Sequence, residues 1–215
     1  LGLVGSAWSM IATSSFMALA CIIKLISKDS SVKLKIQKIS FEKNLFEDIF
    51  SVALPASLSP IFTVGTVLVL TGLIGQFGTS AIAGYGIGSR VEFLLIPIVF
   101  SIGTAMTTMV GTNIGANNID RAEKIGIIGA TSAGLLSGAI GLILALTPDI
   151  WIKIFTSDQA TLMVTKHYIQ ILGVCYLFQG FGLSLYFASQ GANAMKWPII
   201  ITALSFIVFT VAAII

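Results

Sequence analysis

The sequence predicts an all-α fold, a polytopic transmembrane helix bundle of about six spans. Hydrophobic residues make up 56% of the chain and charged residues only 10%, whereas a soluble domain carries roughly 25% charged residues. The apolar runs are long enough to cross a hydrocarbon core of about 30 Å at about 1.5 Å of rise per residue. The lipid bilayer is therefore the predicted environment. The small net charge of +3, with basic residues gathered in loops, gives no indication of nucleic-acid binding.

Six apolar segments are the predicted spans, at residues 1–26, 49–74, 81–114, 125–146, 166–190 and 197–215. Residues 49–89 carry no charge, and that run is too long for one crossing. The glycine-containing stretch GQFGTS at 75–80 is therefore the predicted turn between two helices. The chain starts without methionine and ends within an apolar run, from which we expect a piece of a longer protein.

A basic stretch separates the first span from the others and divides the chain into three predicted parts. Residues 1–26 form one helix, residues 27–48 form a basic linker, and residues 49–215 form the main bundle. Within 36–49, apolar residues recur among charges at loosely helical spacing, which predicts a helix lying in the membrane interface.

Caps and prolines predict where particular helices begin and bend. Asp120 followed by Glu123 has the spacing of a capping box, which predicts the start of the fourth span. Ser157 or Asp158 is positioned to cap the fifth. A proline inside a helix removes a backbone hydrogen bond, and kinks are therefore expected at two positions. These are Pro55 and Pro97.

Basic residues are distributed unequally between the two sets of predicted loops. Cytoplasmic loops of membrane proteins are enriched in Lys and Arg, so the richer face is the predicted cytoplasmic one. We accordingly expect a multi-pass protein of the cell membrane with the linker 27–48 in the cytoplasm. The richer face holds Lys24, Lys28, Lys33, Lys35, Lys38, Lys43, Arg121, Lys124 and Lys196, and the other face holds Arg90, Lys153 and Lys166.

The stretch 81–122 holds the first candidate functional residues, Arg90 and Glu92, in an otherwise apolar setting. Two residues apart on a helix, they point to nearly opposite faces and should not pair with each other. Ionisable groups inside a membrane line a cavity or find a partner, and we expect Lys166 or His167 to be the partner of Glu92. The alternative is that both residues tie helices together at the membrane interface.

Further polar side chains inside apolar segments are candidates for lining a substrate or ion pathway, although plain packing is the alternative for each. Aromatic rings among them suit cationic ligands through their π faces. These residues are Tyr85, Tyr176, Gln179, Tyr186 and Gln190. A second group shapes the predicted cytoplasmic turn or gates it, and comprises Gly111, Asn113, Gly115, Ala116 and Arg121.

Catalytic and metal chemistry are not indicated. An enzyme in the membrane would need a nucleophile with its base, or a metal cluster. His167 is the single histidine, and Cys21 and Cys175 lie far apart in separate apolar segments. The sequence therefore predicts no enzyme, no cofactor and no metal site.

Four sequence motifs, taken in order, resemble the multidrug and toxic compound extrusion (MATE) family. They are AIAGYGIGSRVEFL at 81–94, GTNIGANNIDRA at 111–122, IFTSD at 154–158, and LYFASQGANAMKWP at 185–198. The resemblance implies a twelve-helix transporter made of two six-helix lobes. Residues 1–26 would be the last helix of the N-lobe, and 49–215 would be the C-lobe without its last helix. The rest of the N-lobe would then be the partner of this bundle.

The resemblance also implies an antiporter that exports organic cations or amphipathic compounds in exchange for H⁺ or Na⁺. One branch of the family has a cation site made of acidic residues deep in helices seven and ten. Here the seventh helix has acids only at its entrance, Glu47 and Asp48, and the tenth has none. A flippase for lipid-linked oligosaccharides or polysaccharides, from the same wider superfamily, remains the alternative. It would need a more basic cavity, and Arg90 is the one basic residue well inside a span.

Overall fold

The computed structural model describes residues 2–27 and 42–214, which are helical apart from short turns and contain no strand. The helices are α1 Gly2–Ile26, α2 Lys43–Gly75, α3 Thr79–Gly115, α4 Ile119–Leu146, α5 Pro148–Ile152, α6 Gln159–Gly191 and α7 Lys196–Ile214. Five of them are long and apolar enough to cross a membrane: α1, α2, α3, α4 and α6. Helix α7 is apolar but shorter. The predicted all-α membrane fold is confirmed.

Two compact units divide these residues, Leu1–Leu45 and Phe46–Ile215. Helix α1 occupies the first unit and carries Lys24 in its last turn. Residues 28–41 of the linker 27–48, and with them the first part of the predicted interfacial helix, lie outside the described residues, which resume at Glu42. Residues 43–49 form the beginning of α2 and are not a separate helix.

Two helices begin at other residues than the sequence predicts. Helix α6 begins at Gln159 instead of 166, because Asp158 caps it as predicted: its Oδ2 accepts from the Thr161 amide at 2.9 Å and from the Thr161 hydroxyl at 2.6 Å. The capping box of α4 is wrong. Asn118 precedes the first turn without a side-chain cap bond, and Asp120 lies within that turn.

Helices α3, α4 and α6 form the core of the second unit. Helix α3 runs parallel to α6, since Gly84 approaches Val164 near their starts and Gly111 approaches Gly191 near their ends. Helix α4 runs antiparallel to α6. The short helix α5 lies in the predicted polar loop, where Pro148 opens the first turn and Ile152 is buried.

Hydroxyl groups join these three helices across their interfaces. Thr107 Oγ1 donates to the Phe187 carbonyl at 2.9 Å, and Thr165 Oγ1 donates to the Gly84 carbonyl at 3.2 Å. Ser137 Oγ of α4 lies 3.0 Å from the Tyr176 carbonyl of α6. Small hydroxyl side chains serve this role in membranes, because they bond a facing backbone without separating the helices.

Backbones of α4 and α6 meet most closely at Gly141 and Gly173. A Cβ atom added at Gly173 would lie 2.7 Å from the Cβ of Ala145 and even closer to the Gly141 carbonyl oxygen. Backbone atoms cannot move aside as a flexible side chain can, so this crossing requires glycine.

We expect Gly173→Ala to lower the thermal unfolding midpoint of the purified protein in detergent, because overpacking typically costs about 1–3 kcal/mol. Gly182→Ala on the same helix is the matched control, since an added Cβ there meets nothing within 4 Å. Its midpoint should stay level or rise, because alanine favours a helix over glycine by roughly 0.5–1 kcal/mol. Equal midpoints for the two variants would contradict the packing.

Helices α3 and α6 end in the same three-residue pattern, Gly-Ala-Asn. Asn117 and Asn193 both adopt positive φ, at 59° and 54°. In each turn the next amide bonds five residues back, from Asn118 to Asn113 and from Ala194 to Ser189. This is the hydrogen-bond pattern of a Schellman cap, in which asparagine replaces the usual glycine.

Helices α2 and α3 continue through their prolines, so none of them ends a helix; the kinks predicted at Pro55 and Pro97 remain predictions. Pro60 has no amide N–H to donate to the Ala56 carbonyl four residues earlier. Tyr186 Oη of α6 donates to that carbonyl at 3.1 Å. A side chain of the core thus satisfies the backbone group that proline leaves free.

This compensation predicts non-additive effects. Tyr186→Phe should lower the unfolding free energy by about 1 kcal/mol, because a buried carbonyl loses its donor. In a Pro60→Ala background the new amide can bond the Ala56 carbonyl, and the same change should then cost less. Unfolding midpoints of wild type, both single variants and the double variant measure the coupling. An equal cost in both backgrounds would contradict the compensation.

Candidate functional site

Glu92 lies on α3, half-buried against α6, where Tyr168 donates its hydroxyl hydrogen to Glu92 Oε1 at 3.0 Å. The ring of Tyr168 fits there because residue 88 is glycine: a Cβ at Gly88 would lie 2.7 Å from its Cε1 atom. Among the described residues, Glu92 has no salt-bridge partner. Its one side-chain partner is a neutral phenol.

The partners predicted for Glu92 are therefore wrong. Lys166 Nζ bonds Asp149 Oδ2 at 2.8 Å, and His167 Nδ1 lies 2.9 Å from the Met163 carbonyl of its own helix. Tyr168 was not among the predicted partners, because which residues of α3 and α6 face each other depends on the register of the two helices.

Arg90 does not pair with Glu92, as the helical spacing predicts. Its guanidinium carbon lies 5.8 Å from the ring centroid of Phe155, which follows α5. This is the geometry of a cation–π contact. Arg90 thus contacts the loop at the end of the bundle where α6 begins.

A tyrosine cluster surrounds Glu92. Tyr85 of α3 packs edge-on against Tyr168, with ring centroids 5.5 Å apart and an angle of 90° between the rings. Tyr176, two turns farther along α6, lines a small cavity together with Glu92. The structure therefore brings Tyr85 and Tyr176 close to Glu92 and adds Tyr168 to them.

A small cavity separates Glu92 from Tyr176. Its volume is ≈ 20 Å³, room for about one water molecule. Tyr176 is only 2% exposed, and its hydroxyl has no hydrogen-bond partner. Gln179 lines the same cavity and is itself exposed. The cavity is lined by Glu92, Leu95, Ile96, Val99, Ser137, Tyr176, Gln179, Gly180 and Leu183.

The predicted turn motif lies at the other end of the bundle and is structural in its contacts. Asn113 Nδ2 donates to the Met109 carbonyl at 2.7 Å, and the Ala116 amide donates to the Thr112 carbonyl at 3.1 Å. A Cβ at Gly111 would lie 3.2 Å from the Gly191 carbonyl oxygen. Gly115 ends α3, and Arg121 is exposed in the first turn of α4. Beside them lies an open groove of ≈ 390 Å³ that contains Glu123.

Two aspartates near the start of α6 have lowered pKa values, each for a local reason. The Lys166 ammonium bonds Asp149 and lowers the pKa of that carboxyl. The hydroxyl and amide of Thr161 lower the pKa of Asp158. Metal binding has no support in the described residues, which contain no group of three or more His, Cys, Asp or Glu side chains suited to it.

The cap at Asp158 predicts a pH-dependent stability. A carboxyl whose pKa is lower in the folded state stabilises that state above its unfolded pKa of about 3.9, and this stabilisation is lost as pH falls through the folded pKa. Asp158→Ala should therefore lower the unfolding midpoint at neutral pH, and the difference between the two proteins should shrink as pH falls from about 4 through the folded pKa. Ser157→Ala is the matched control and should match wild type throughout. An unchanged Asp158→Ala midpoint at neutral pH would contradict the cap.

The second unit is a bundle of membrane-length helices with a half-buried carboxylate beside a small cavity, and ionisable residues in such helices often mark substrate or ion pathways. The family model described as MatE matches residues 55–215, most of the chain. The chain belongs to the multidrug and toxic compound extrusion (MATE) family, whose members are transporters and not enzymes.

Relatives with described roles agree with this family. The chain is 31% identical over 162 residues to the probable multidrug resistance protein NorM of Thermotoga maritima, covering 74% of this chain and 34% of that protein. It is 22% identical over 209 residues to the probable multidrug resistance protein YoeA of Bacillus subtilis, covering 94% and 44%. The chain thus spans less than half the length of either relative.

Two solved structures share the fold. One is an outward-facing multidrug resistance MATE family transporter of the MOP superfamily, with TM-score 0.78 and 22% identity over 91% of this chain and 43% of that one. The other is a MOP superfamily transporter from Pyrococcus furiosus, with TM-score 0.81 and 23% identity over 94% and 46%. At these identities the likeness concerns the fold alone.

Proposed function

We propose that the protein exports organic cations or other amphipathic drugs from the cell in exchange for H⁺ or Na⁺. The bundle 49–215 would act as most of one lobe, and alternating access would arise as it rocks against a second lobe around a central site. The proposal rests on Glu92, a half-buried acidic residue within a membrane-length helix. Its side-chain partner is a neutral tyrosine.

Glu92 is poorly explained as a structural tie. An ionisable side chain inside a membrane is costly unless it has a role or a charged partner. Helices α3 and α6 are already joined by the Thr107 and Thr165 hydroxyls, which carry no charge. A carboxylate that adds only one bond from a phenol gives little stability for that cost. It is better suited to binding a cation that arrives and leaves.

The groups around Glu92 favour cationic ligands over anionic ones. The half-buried Tyr85 and Tyr168 offer aromatic rings beside the carboxylate, and the buried Tyr176 offers a hydroxyl oxygen at the cavity. The nearest basic residues lie toward the α5 end and are engaged there, Lys166 by Asp149 and Arg90 by Phe155. A flippase for polyanionic headgroups would instead need free basic groups at its cavity.

The proposal also assigns an orientation in the membrane to the cavity, the turn 111–121 and the basic linker. Gln179, exposed beside the cavity, would face the N-lobe across the substrate pathway. The turn at 111–121 and the basic linker 27–48 would face the cytoplasm of a cell-membrane protein. Consistent with this orientation, Arg121 and Lys124 lie at the opposite end of the bundle from Lys153 and Lys166.

Efflux of ethidium, an organic cation, tests the role of Glu92. In efflux-deficient cells expressing the gene that encodes this chain, Glu92→Gln should reduce energised efflux about tenfold or more, since a charged hydrogen-bonding group contributes roughly 1.5–3 kcal/mol. Expression must be equal in the two strains. Glu123→Gln, an acid in the groove at the predicted cytoplasmic end, is the matched control and should leave efflux near the wild-type level.

The outcomes separate the parts of the proposal. Efflux that survives Glu92→Gln would keep the exporter and make Glu92 structural. No efflux of any tested cation, despite correct insertion in the membrane, would contradict the exporter and favour the flippase alternative.

A further inference from the structure

We infer that the cavity between α3, α4 and α6 holds one water molecule that links the Glu92 carboxylate to the Tyr176 hydroxyl. We further infer that this site takes up the coupling ion as a proton and not as Na⁺. The second inference rests on the proposed antiport function, whereas the water site stands on the geometry alone.

The Tyr176 hydroxyl is the first observation. It is buried, it has no protein partner, and a buried hydroxyl without a partner costs roughly 1–3 kcal/mol. Two other buried hydroxyls, on Ser59 and Ser184, share this condition among the described residues, but neither lines the cavity. Tyr176 is therefore the one that a water in this cavity would satisfy.

The size and polarity of the cavity favour a water molecule over a metal cation. A volume of ≈ 20 Å³ admits a single water, which needs about two to four polar partners. Glu92, Tyr176 and Gln179 can supply them. Ser137, on the α4 side, already donates to a backbone carbonyl, and the other lining side chains are apolar. A Na⁺ ion in the same space would have the oxygens of Glu92, Tyr176 and Gln179 around it and no room for a water beside it.

Of the titratable groups around the site, only Glu92 can change charge near neutral pH. Those facing Glu92 are Tyr85 on its own helix and Tyr168 and Tyr176 on α6, while α4 contributes the non-titratable Ser137. Tyrosine side chains ordinarily ionise near pH 10. Around neutral pH the proton can therefore be held only by the Glu92 carboxylate.

Two hydrogen-bonded states of the site follow. Ionised Glu92 accepts from Tyr168 on one oxygen and from the water on the other. When a hydronium ion from the pathway transfers its proton, a new O–H bond forms on the carboxyl, which then donates to the same water. The water reorients between the two states, and the Tyr176 hydroxyl accepts a hydrogen bond from it or donates one to it. No other group has to change charge.

The test uses the full gene product, first in proteoliposomes. A pH gradient alone should drive ethidium transport, and a Na⁺ gradient at constant pH should not. Tyr176→Phe should shift the pH of half-maximal transport upward by about one unit, because the ionised carboxylate loses a bridged donor. Tyr186→Phe is the matched control on the same helix, since its hydroxyl bonds Ala56 outside the cavity. Any effect it has on rate should leave the pH midpoint in place.

A second readout does not depend on transport. Infrared difference spectra of the purified protein on acidification should show a carboxylic-acid C=O band that is absent in Glu92→Gln. In Tyr176→Phe the band should appear at a pH about one unit higher.

Transport driven by Na⁺ alone would overturn the proton site and keep the exporter. An infrared midpoint that Tyr176→Phe leaves unmoved would overturn the water link. A pH-dependent Glu92 band without any transport would keep the site and contradict the exporter.

Discussion

Backbone contact among α3, α4 and α6 is the constraint on which the rest of the structure depends. Lipid gives little hydrophobic reason for helices to associate, so association relies on close approach and on hydrogen bonds between helices. The crossing at Gly141 and Gly173 supplies the approach. The Thr107 hydroxyl supplies a bond, and the Thr165 and Ser137 hydroxyls lie 3.2 Å and 3.0 Å from carbonyls of the facing helices. These contacts fix the register of α3 against α6. That register places Glu92 opposite Tyr168 and the cavity beside Tyr176.

Helix α2 is held in another way. Side chains make its contacts with neighbouring helices. The Tyr186 hydroxyl of α6 donates to the Ala56 carbonyl of α2, and the Phe62 ring packs against Phe206 of α7 with ring centroids 5.9 Å apart. A helix held by side chains can shift with a change of rotamers, whereas the glycine crossing of α4 and α6 permits few alternatives. Movement during a transport cycle would therefore meet less resistance at α2 than within the three-helix core.

The sequence was sufficient to predict where the membrane-length helices lie, but not which residues contact Glu92. Apolar length and the clustering of charges located the helices, because the bilayer imposes both on any chain that crosses it. The spacing of Arg90 and Glu92 correctly separated them. The partner of Glu92 could not be found in the same way, since it depends on how α3 slides along α6. Gly88 is a local sign of this pairing, because the absence of a side chain there leaves space for the Tyr168 ring. Glycines are frequent in this chain, however, and most of them contact other residues.

The parallel course of α3 and α6 also has an electrical consequence. Each helix carries a macrodipole, with partial negative charge at its carboxyl end. The two Gly-Ala-Asn turns lie side by side, so the partial negative charges of α3 and α6 meet the partial positive charges at the amino ends of α4 and α7, which begin at the same end of the bundle. Arg121 and Lys196 lie in the first turns of α4 and α7, where the dipole of their own helix disfavours a cation. The neighbouring carboxyl ends of α3 and α6 counter that penalty locally, so each of these two cations begins its helix beside a partial negative charge.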